Sequence, residues 1–279
     1  MFRLSCFIVF AVLLSACTSV DPATPAFPSY ASAGCSADAQ GNSQLPDTLI
    51  TWPSDYDGAT PKPLVLVFHG RNRDAQQMRE QDARTLGSEL EEHYILAFVK
   101  SAASGYVLED DYPRVKAIRA DILATSCVDT RAVFAMGLSN GAQFIAQILG
   151  DDSEQEHLFD GIAVVASSYQ NPPWEPIPSL VIHGLNDTVR EGIDDADGSK
   201  DIVQFVTSNQ CAESTRPIQA ASCRSLTGGG VVNPGCVEYQ QCGARTIFCN
   251  HDDPHYSDTN HGWPCFANNK IFEFFESLR

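Results

Sequence analysis

The stretch from Arg131 to Gly150 constrains this 279-residue chain more than any other. Arg131-Ala132-Val133-Phe134-Ala135-Met136 is a short apolar run with strand character, Gly137-Leu138-Ser139-Asn140-Gly141 follows it, and Asn140 to Leu149 reads as an apolar helix that stops at Gly150. A buried strand that turns sharply into a helix brings the flanking backbones too close for a Cβ, so glycine is required on both sides of the turn. Gly137 and Gly141 meet that requirement. The apolar strand and the apolar helix both need cover, which points to a sheet packed between helices.

The rest of the chain repeats the alternation. Pro63 to Phe68 is a continuous apolar run ending at His69-Gly70, as expected of a buried parallel strand. Asp74 to Glu92 predicts one long helix opened by an Asp cap, and Tyr94 to Val99 predicts a second strand. Tyr112 to Ser126 predicts a helix with Pro113 in its first turn. Gly161–Ala166, Ser179–Ile182 and Arg245–Phe248 read as further strands, and Asp201–Ser208 and Asn269–Leu278 as helices. This order predicts an α/β fold with a mostly parallel sheet and helices on both faces. No second core is visible, only an insertion around 211–245 that contains Gly228-Gly229-Gly230.

Charge narrows the partners. With 18 Lys+Arg against 35 Asp+Glu the formal net charge is −17, and no cluster of basic residues offers a phosphate-binding face. Nucleic acid, polyanionic substrates and an anionic membrane surface are therefore disfavoured. Ten cysteines in a domain of this size suggest an oxidising compartment.

The N-terminus fits export. Residues 1–16 carry Arg3 and an apolar run from Phe7 to Leu14, too short to span a bilayer as a mature helix. Leu14-Ser15-Ala16-Cys17 resembles the bacterial lipobox, which implies cleavage before Cys17 and lipidation of that residue; free secretion is the alternative. Thr18 stands where an inner-membrane retention signal would place Asp. Contact with a membrane is expected only through that anchor. Residues 17–34, rich in Pro, Ala, Ser and Thr, read as a flexible tether, and 35–279 as the folded domain, expected to be a monomer. Cys6 leaves with the signal and Cys17 takes the lipid, so eight cysteines remain for bridges: Cys35, Cys127, Cys211, Cys223, Cys236, Cys242, Cys249 and Cys265. Six of them fall between 211 and 265, which predicts a loop-rich, covalently held segment. No Cys-x-x-Cys pair is present, and Asp194–Gly198 lacks the spacing of a calcium loop, so neither a metal nor another cofactor is expected.

Ser139 is the candidate nucleophile, because the turn sets its hydroxyl beside a helix N-terminus and the Asn140 N–H. A serine needs a base, and the base needs a carboxylate to fix its tautomer. Asp187, in His183-Gly184-Leu185-Asn186-Asp187, lies just beyond a predicted strand, on the side where open α/β sheets bind ligands; Asp194, Asp195 and Asp197 compete from a polar loop. His261, between the last predicted strand and the last helix, is the candidate base. His251 and His255 read as surface-loop residues. His69 and His183 each precede a glycine at a strand end and are expected to organise loops beside the site. His69, Tyr106 and Trp263 are candidate substrate contacts, with Trp174 a further aromatic.

Four motifs together carry a resemblance: Phe68-His69-Gly70-Arg71, Cys127-Val128-Asp129 leading to Gly137-Leu138-Ser139-Asn140-Gly141, His183-Gly184-Leu185-Asn186-Asp187, and His261-Gly262-Trp263-Pro264. Across 35–278 the chain resembles the secreted α/β-hydrolases that include feruloyl esterases, acetyl xylan esterases and polyhydroxybutyrate depolymerases. The resemblance implies Ser139 as nucleophile, Asp187 as orienting acid and His261 as base, with an oxyanion hole from the N–H groups of Asn140 and Arg71. It also suggests a Cys35–Cys127 bridge; Cys249–Cys265 is a further pairing that would hold the His261 loop. Ala142 departs from the family, which commonly has another glycine there, and Tyr106 stands near Asp110-Asp111 where a tryptophan is frequent. The expected activity is ester hydrolysis on feruloyl or acetyl groups of plant polysaccharide, with a polyester as the alternative substrate. A serine peptidase would call for a larger chain. A non-catalytic surface-binding lipoprotein would be expected to have lost one of the three residues, all of which are present.

Overall fold

The computed structural model describes residues 28–36, 45–151, 158–167, 173, 175–189, 199–254 and 259–279. The expected signal, Cys17, most of the tether, Trp174, Asp194, Asp195, Asp197, Gly198 and His255 lie outside the described residues.

The central strands are β2 (Lys62–Phe68), β3 (Ile95–Val99), β4 (Val128–Leu138), β5 (Gly161–Val165), β6 (Ser179–Gly184) and β11 (Thr246–His251). They pair in parallel in the order β3-β2-β4-β5-β6-β11. β1 (Thr48–Thr51) closes one edge antiparallel to β3. At the other edge β10 (Gly235–Tyr239) runs antiparallel to β11, and β7 (Thr215–Ile218) antiparallel to β10. A separate two-stranded ribbon joins β8 (Cys223–Arg224) to β9 (Val231–Val232).

The continuous apolar strands follow from burial on both faces. Along β2, Leu64, Leu66 and Phe68 enter one core while Val65 and Val67 enter the other, the period of two that a pleated strand imposes. The first core receives α3 (Leu108–Thr125), α4 (Asn140–Gly150) and α5 (Ser199–Ser208), through residues such as Val115, Phe144 and Phe205. The second receives the short helix α1 (Ala75–Gln77) with its π-helical continuation Met78–Asp82, α2 (Glu89–His93) and α6 (Ala267–Glu276). The fold class expected from the sequence is the one observed.

Several expectations need correction. The helix expected over Asp74–Glu92 is broken in two. Asp74 does cap its start in a reciprocal box with Gln77, but Arg84 at φ 46° and Gly87 at φ 71° leave helical space, and Ser88 caps a new helix. The helix containing Pro113 begins at Leu108 instead of Tyr112, so Pro113 lies within it, beyond the first turn. Asp111 accounts for the earlier start: its carboxylate accepts the Val107 N–H at the cap position, 2.9 Å away. The 211–245 insertion is less loop-rich than expected, since β7 and β10 extend the main sheet.

Four bridges are present: Cys35–Cys127, Cys211–Cys242, Cys223–Cys265 and Cys236–Cys249. The Cys249–Cys265 pairing is therefore wrong. Cys249 on β11 faces Cys236 directly across the antiparallel pair, with Cα atoms 4.1 Å apart, a register that brings the two sulfurs together. Cys265 is tied to the β8–β9 ribbon instead.

Candidate active site

The turn after β4 is as tight as its sequence requires. Ser139 has φ 52° and ψ −113°, a conformation that costs energy for a residue with a side chain. It is held there by its own N–H, which donates to the Val165 carbonyl of the neighbouring strand. A Cβ on Gly141 would lie 2.5 Å from the Phe68 carbonyl oxygen and 2.6 Å from that of His69, and one on Gly137 would lie 2.8 Å from the Ala142 nitrogen. Both glycines are thus demanded by backbone contacts.

Three residues from the segments that follow three strands meet at this turn. The Ser139 Oγ is 3.0 Å from His261 Nε2, and His261 Nδ1 is 2.7 Å from Asp187 Oδ2. With Nδ1 donating to the carboxylate, Nε2 presents a lone pair to the serine hydroxyl. Burial would push the Asp187 carboxyl up; the hydrogen bond and charge of His261, helped by His183, outweigh it and hold the group below the usual carboxylate range. Asp187 is therefore ionised at neutral pH and fixes the imidazole tautomer. His183 Nε2 lies 3.7 Å from the same Asp187 oxygen.

The loop after β2 borders Ser139. A Cβ on Gly70 would come within 3.8 Å of the Ser139 Cβ, and the Arg73 N–H closes a turn onto the Gly70 carbonyl. That turn carries the exposed Arg71, the residue expected to offer a backbone N–H. Asn140 begins α4, where the first N–H groups of a helix have no partner within it. Its side chain is engaged elsewhere, accepting the Tyr106 N–H at 2.6 Å, and so ties the 102–107 loop to the turn.

The three expected substrate contacts are placed otherwise. His69 is fully buried, and its Nε2 accepts the Ser101 N–H while Nδ1 donates to the Gly70 carbonyl. Burial lowers its pKa against that Gly70 bond, so it is neutral. It organises loops and has no surface left for substrate. Tyr106 is 4% exposed; its ring stacks on Phe144 at 4.9 Å, and its hydroxyl accepts from the His69 N–H and donates to the Val99 carbonyl. Trp263 is 2% exposed in the second core, with its indole N–H donating to Asn268 on α6. Each is a large side chain that the fold needed for packing. His251 also departs from expectation: it is buried at the end of β11, where its Nδ1 accepts the Asp253 N–H.

Two supporting acids escaped the sequence reading. Asp111 accepts the N–H groups of Ala102 and Val107 and an Arg114 N–H, pinning the loop that reaches Asn140. The Asp-x-x-Arg spacing on a helix was the available signal. Asp253, fully buried, accepts the Cys265 N–H at 3.0 Å and so holds the far end of the His261 loop. Among the described residues, Glu89, Glu92 and His93 stand close enough to share an ion, but they lie exposed on α2, and no such group forms at the Ser139 turn.

No protein-family model matches the sequence, and no curated protein does. Among solved structures, the chain is similar to an acetyl xylan esterase from Aspergillus awamori at 14% identity, with a TM-score of 0.58 over 83% of this chain and 94% of that one. A Bacillus cereus carboxylesterase aligns over the same shares at 14% identity and a TM-score of 0.47. At such low identity the first of these likenesses speaks to architecture, and with the strand order, the strand–turn–helix at Ser139 and the helices on both faces it gives this chain the α/β-hydrolase fold.

Proposed function

We propose that this protein hydrolyses carboxylic esters through an acyl-enzyme on Ser139. The observation that carries the reading is the unbroken line from Asp187 Oδ2 through the His261 ring to Ser139 Oγ, with spacings of 2.7 and 3.0 Å. His261 takes the serine proton as Oγ bonds to the ester carbonyl carbon, and Asp187 stabilises the imidazolium. The backbone N–H groups of Asn140 and Arg71 receive the oxyanion. The C–O bond to the alcohol breaks, with His261 returning the proton to the leaving oxygen. Water then attacks the acyl carbon with the same base, the acid leaves, and Ser139 regains its proton.

The substrate proposed is an ester of plant polysaccharide, acetyl or feruloyl. The motif resemblance supports it, as does the likeness in fold to a protein described as an acetyl xylan esterase. The net charge of −17 suits a neutral ester better than an anionic one. Polyhydroxybutyrate is the second candidate. Four disulfides are consistent with an extracellular location. Export with lipidation at Cys17 is proposed on the sequence alone.

The test is labelling by a fluorophosphonate probe, followed by side-by-side hydrolysis of methyl ferulate, acetylated xylan and polyhydroxybutyrate. Wild type is expected to label at Ser139 and Ser139→Ala to remain unlabelled while folded. Unchanged turnover in Ser139→Ala would overturn the proposal, and the preferred substrate selects among the three esters.

A further inference from the structure

Asp187 and His261 arrive on different loops, and one side chain joins those loops. Asn260, the residue before His261, is 5% exposed. Its Oδ1 accepts the N–H of Asn186, the residue before Asp187, at 3.0 Å. Its Nδ2 donates to the Asp253 carbonyl at 3.1 Å. Its backbone lies directly on the end of β6, since a Cβ on Gly184 would sit 2.3 Å from both the Asn260 Cβ and its carbonyl oxygen.

We propose that Asn260 is a positioning residue that clamps the acid-bearing loop to the base-bearing loop and thereby sets the Asp187–His261 contact. The acid loop leaves β6 with the Leu185 N–H bonded to the His251 carbonyl, and the next N–H, that of Asn186, is the one Asn260 receives. The base loop leaves β11 and returns at Cys265, whose N–H is held by the Asp253 carboxylate. Asn260 thus reads the position of Asp253 with its donor and that of Asn186 with its acceptor. The asparagine amide offers both functions on one short planar group. Burial makes the arrangement stringent, because an unmatched buried donor or acceptor is costly. The acid needs this external hold: among the described residues, the Asp187 side chain accepts one hydrogen bond besides that to His261, from the Val189 N–H at 3.2 Å.

The kinetic consequence rests on the esterase reading; the geometric consequence does not. Asn260→Ala is compared with Asn209→Ala as a matched control. Asn209 is likewise a buried asparagine, bonded to both polar backbone groups of Ile177 and to Thr246, at the opposite end of β6. Each variant is followed by kcat and KM on a soluble aryl ester, and by the far-downfield NMR proton of the His261 Nδ1–H bonded to Asp187. Asn260→Ala is expected to lower kcat by about 10²-fold with KM little changed, and to lose or broaden that proton. Asn209→Ala is expected to lose thermal stability while retaining the proton and kcat. Where Asn260→Ala does not fold, Asn260→Asp keeps the acceptor and removes the donor, and a loss of about tenfold in kcat with a shifted proton is expected. A downfield proton unchanged in the folded Asn260 variant, with kcat within about threefold of Asn209→Ala, overturns the clamp. If Ser139→Ala turns out to leave turnover unchanged, the esterase reading fails and the proton alone still decides on Asn260.

Discussion

The Asp187 carboxylate lies 2.7 Å from His261 Nδ1 although 74 positions separate the two residues. The parallel pairing of β6 with β11 makes this meeting possible. His183 and Gly184 stand beside Asn250 and His251, so the loops that follow leave the same end of the sheet side by side. Gly184 lets the returning base loop pack onto β6 without a Cβ in the way. The contact is therefore a property of two neighbouring strand ends and one close approach.

Asp187→Asn is expected to leave the fold intact and to lower kcat by about 10⁴-fold, because the amide favours the imidazole tautomer whose Nε2 cannot accept the serine proton. Steady-state kinetics together with circular dichroism check this. A variant with near wild-type kcat would mean that another carboxylate orients His261.

Gly141→Ala tests the turn. The added methyl meets the carbonyl oxygens of Phe68 and His69 at 2.5 and 2.6 Å, and backbone cannot swing aside as a flexible side chain can. A loss of roughly 1–3 kcal/mol in urea unfolding is expected, along with displacement of Ser139 and loss of fluorophosphonate labelling. Gly230→Ala is the control, since a Cβ there has nothing within 4 Å, and it should be close to neutral.

His69 imposes a pH dependence on stability. Burial lowers its folded-state pKa below the ordinary 6.5, so the unfolded chain takes up a proton that the folded chain refuses. The sign is a loss of stability as pH falls below about 6.5, levelling once the folded value is passed. Asp187 does not confuse that window: its lowered pKa contributes stability that is lost only as pH falls through its folded value, below 3.8. His69→Gln should therefore show a smaller difference in urea midpoint between about pH 7.5 and pH 5 than wild type does. Equal pH dependence in the two proteins would exclude His69 as the source.

Removing the Cys223–Cys265 bridge by a double change to Ala frees the base loop from the β8–β9 ribbon. With a sequence separation of 42, chain entropy alone assigns it about 4 kcal/mol. Stability and kcat should both fall, because Cys265 stands only four residues after His261. Removing Cys35–Cys127, which ties the N-terminal segment to the start of β4, should cost comparable stability but spare kcat in the folded fraction. Thermal melts and single-turnover rates separate the two effects.

The alternation of apolar runs and helices was legible in the sequence because burial on both faces leaves strands such as Pro63–Phe68 apolar throughout, and the two glycines around Ser139 betray a turn that excludes Cβ atoms. Those signals are local, since each depends on the residues beside it in the chain. Ser139, Asp187 and His261 could be nominated for the same reason, each standing at the end of a recognisable strand or before a recognisable helix. Apart from the Cys35–Cys127 bridge that the resemblance suggests, the partners of the other cysteines and of the buried polar groups across the fold were not legible. Tyr106 and Trp263 read as candidate substrate contacts, yet their rings enter the two cores, and His251 read as a surface-loop residue, yet β11 extends to include it. The pairing of Cys249 with Cys236 depends on the register of β10 against β11, and the clamp of Asn260 on Asn186 depends on β6 and β11 lying side by side. Composition and spacing fix which groups a chain carries and which backbone conformations it tolerates. Which buried donor meets which acceptor is decided only when distant segments pack, because every polar group taken out of water must then find its partner among whatever the topology has brought within reach.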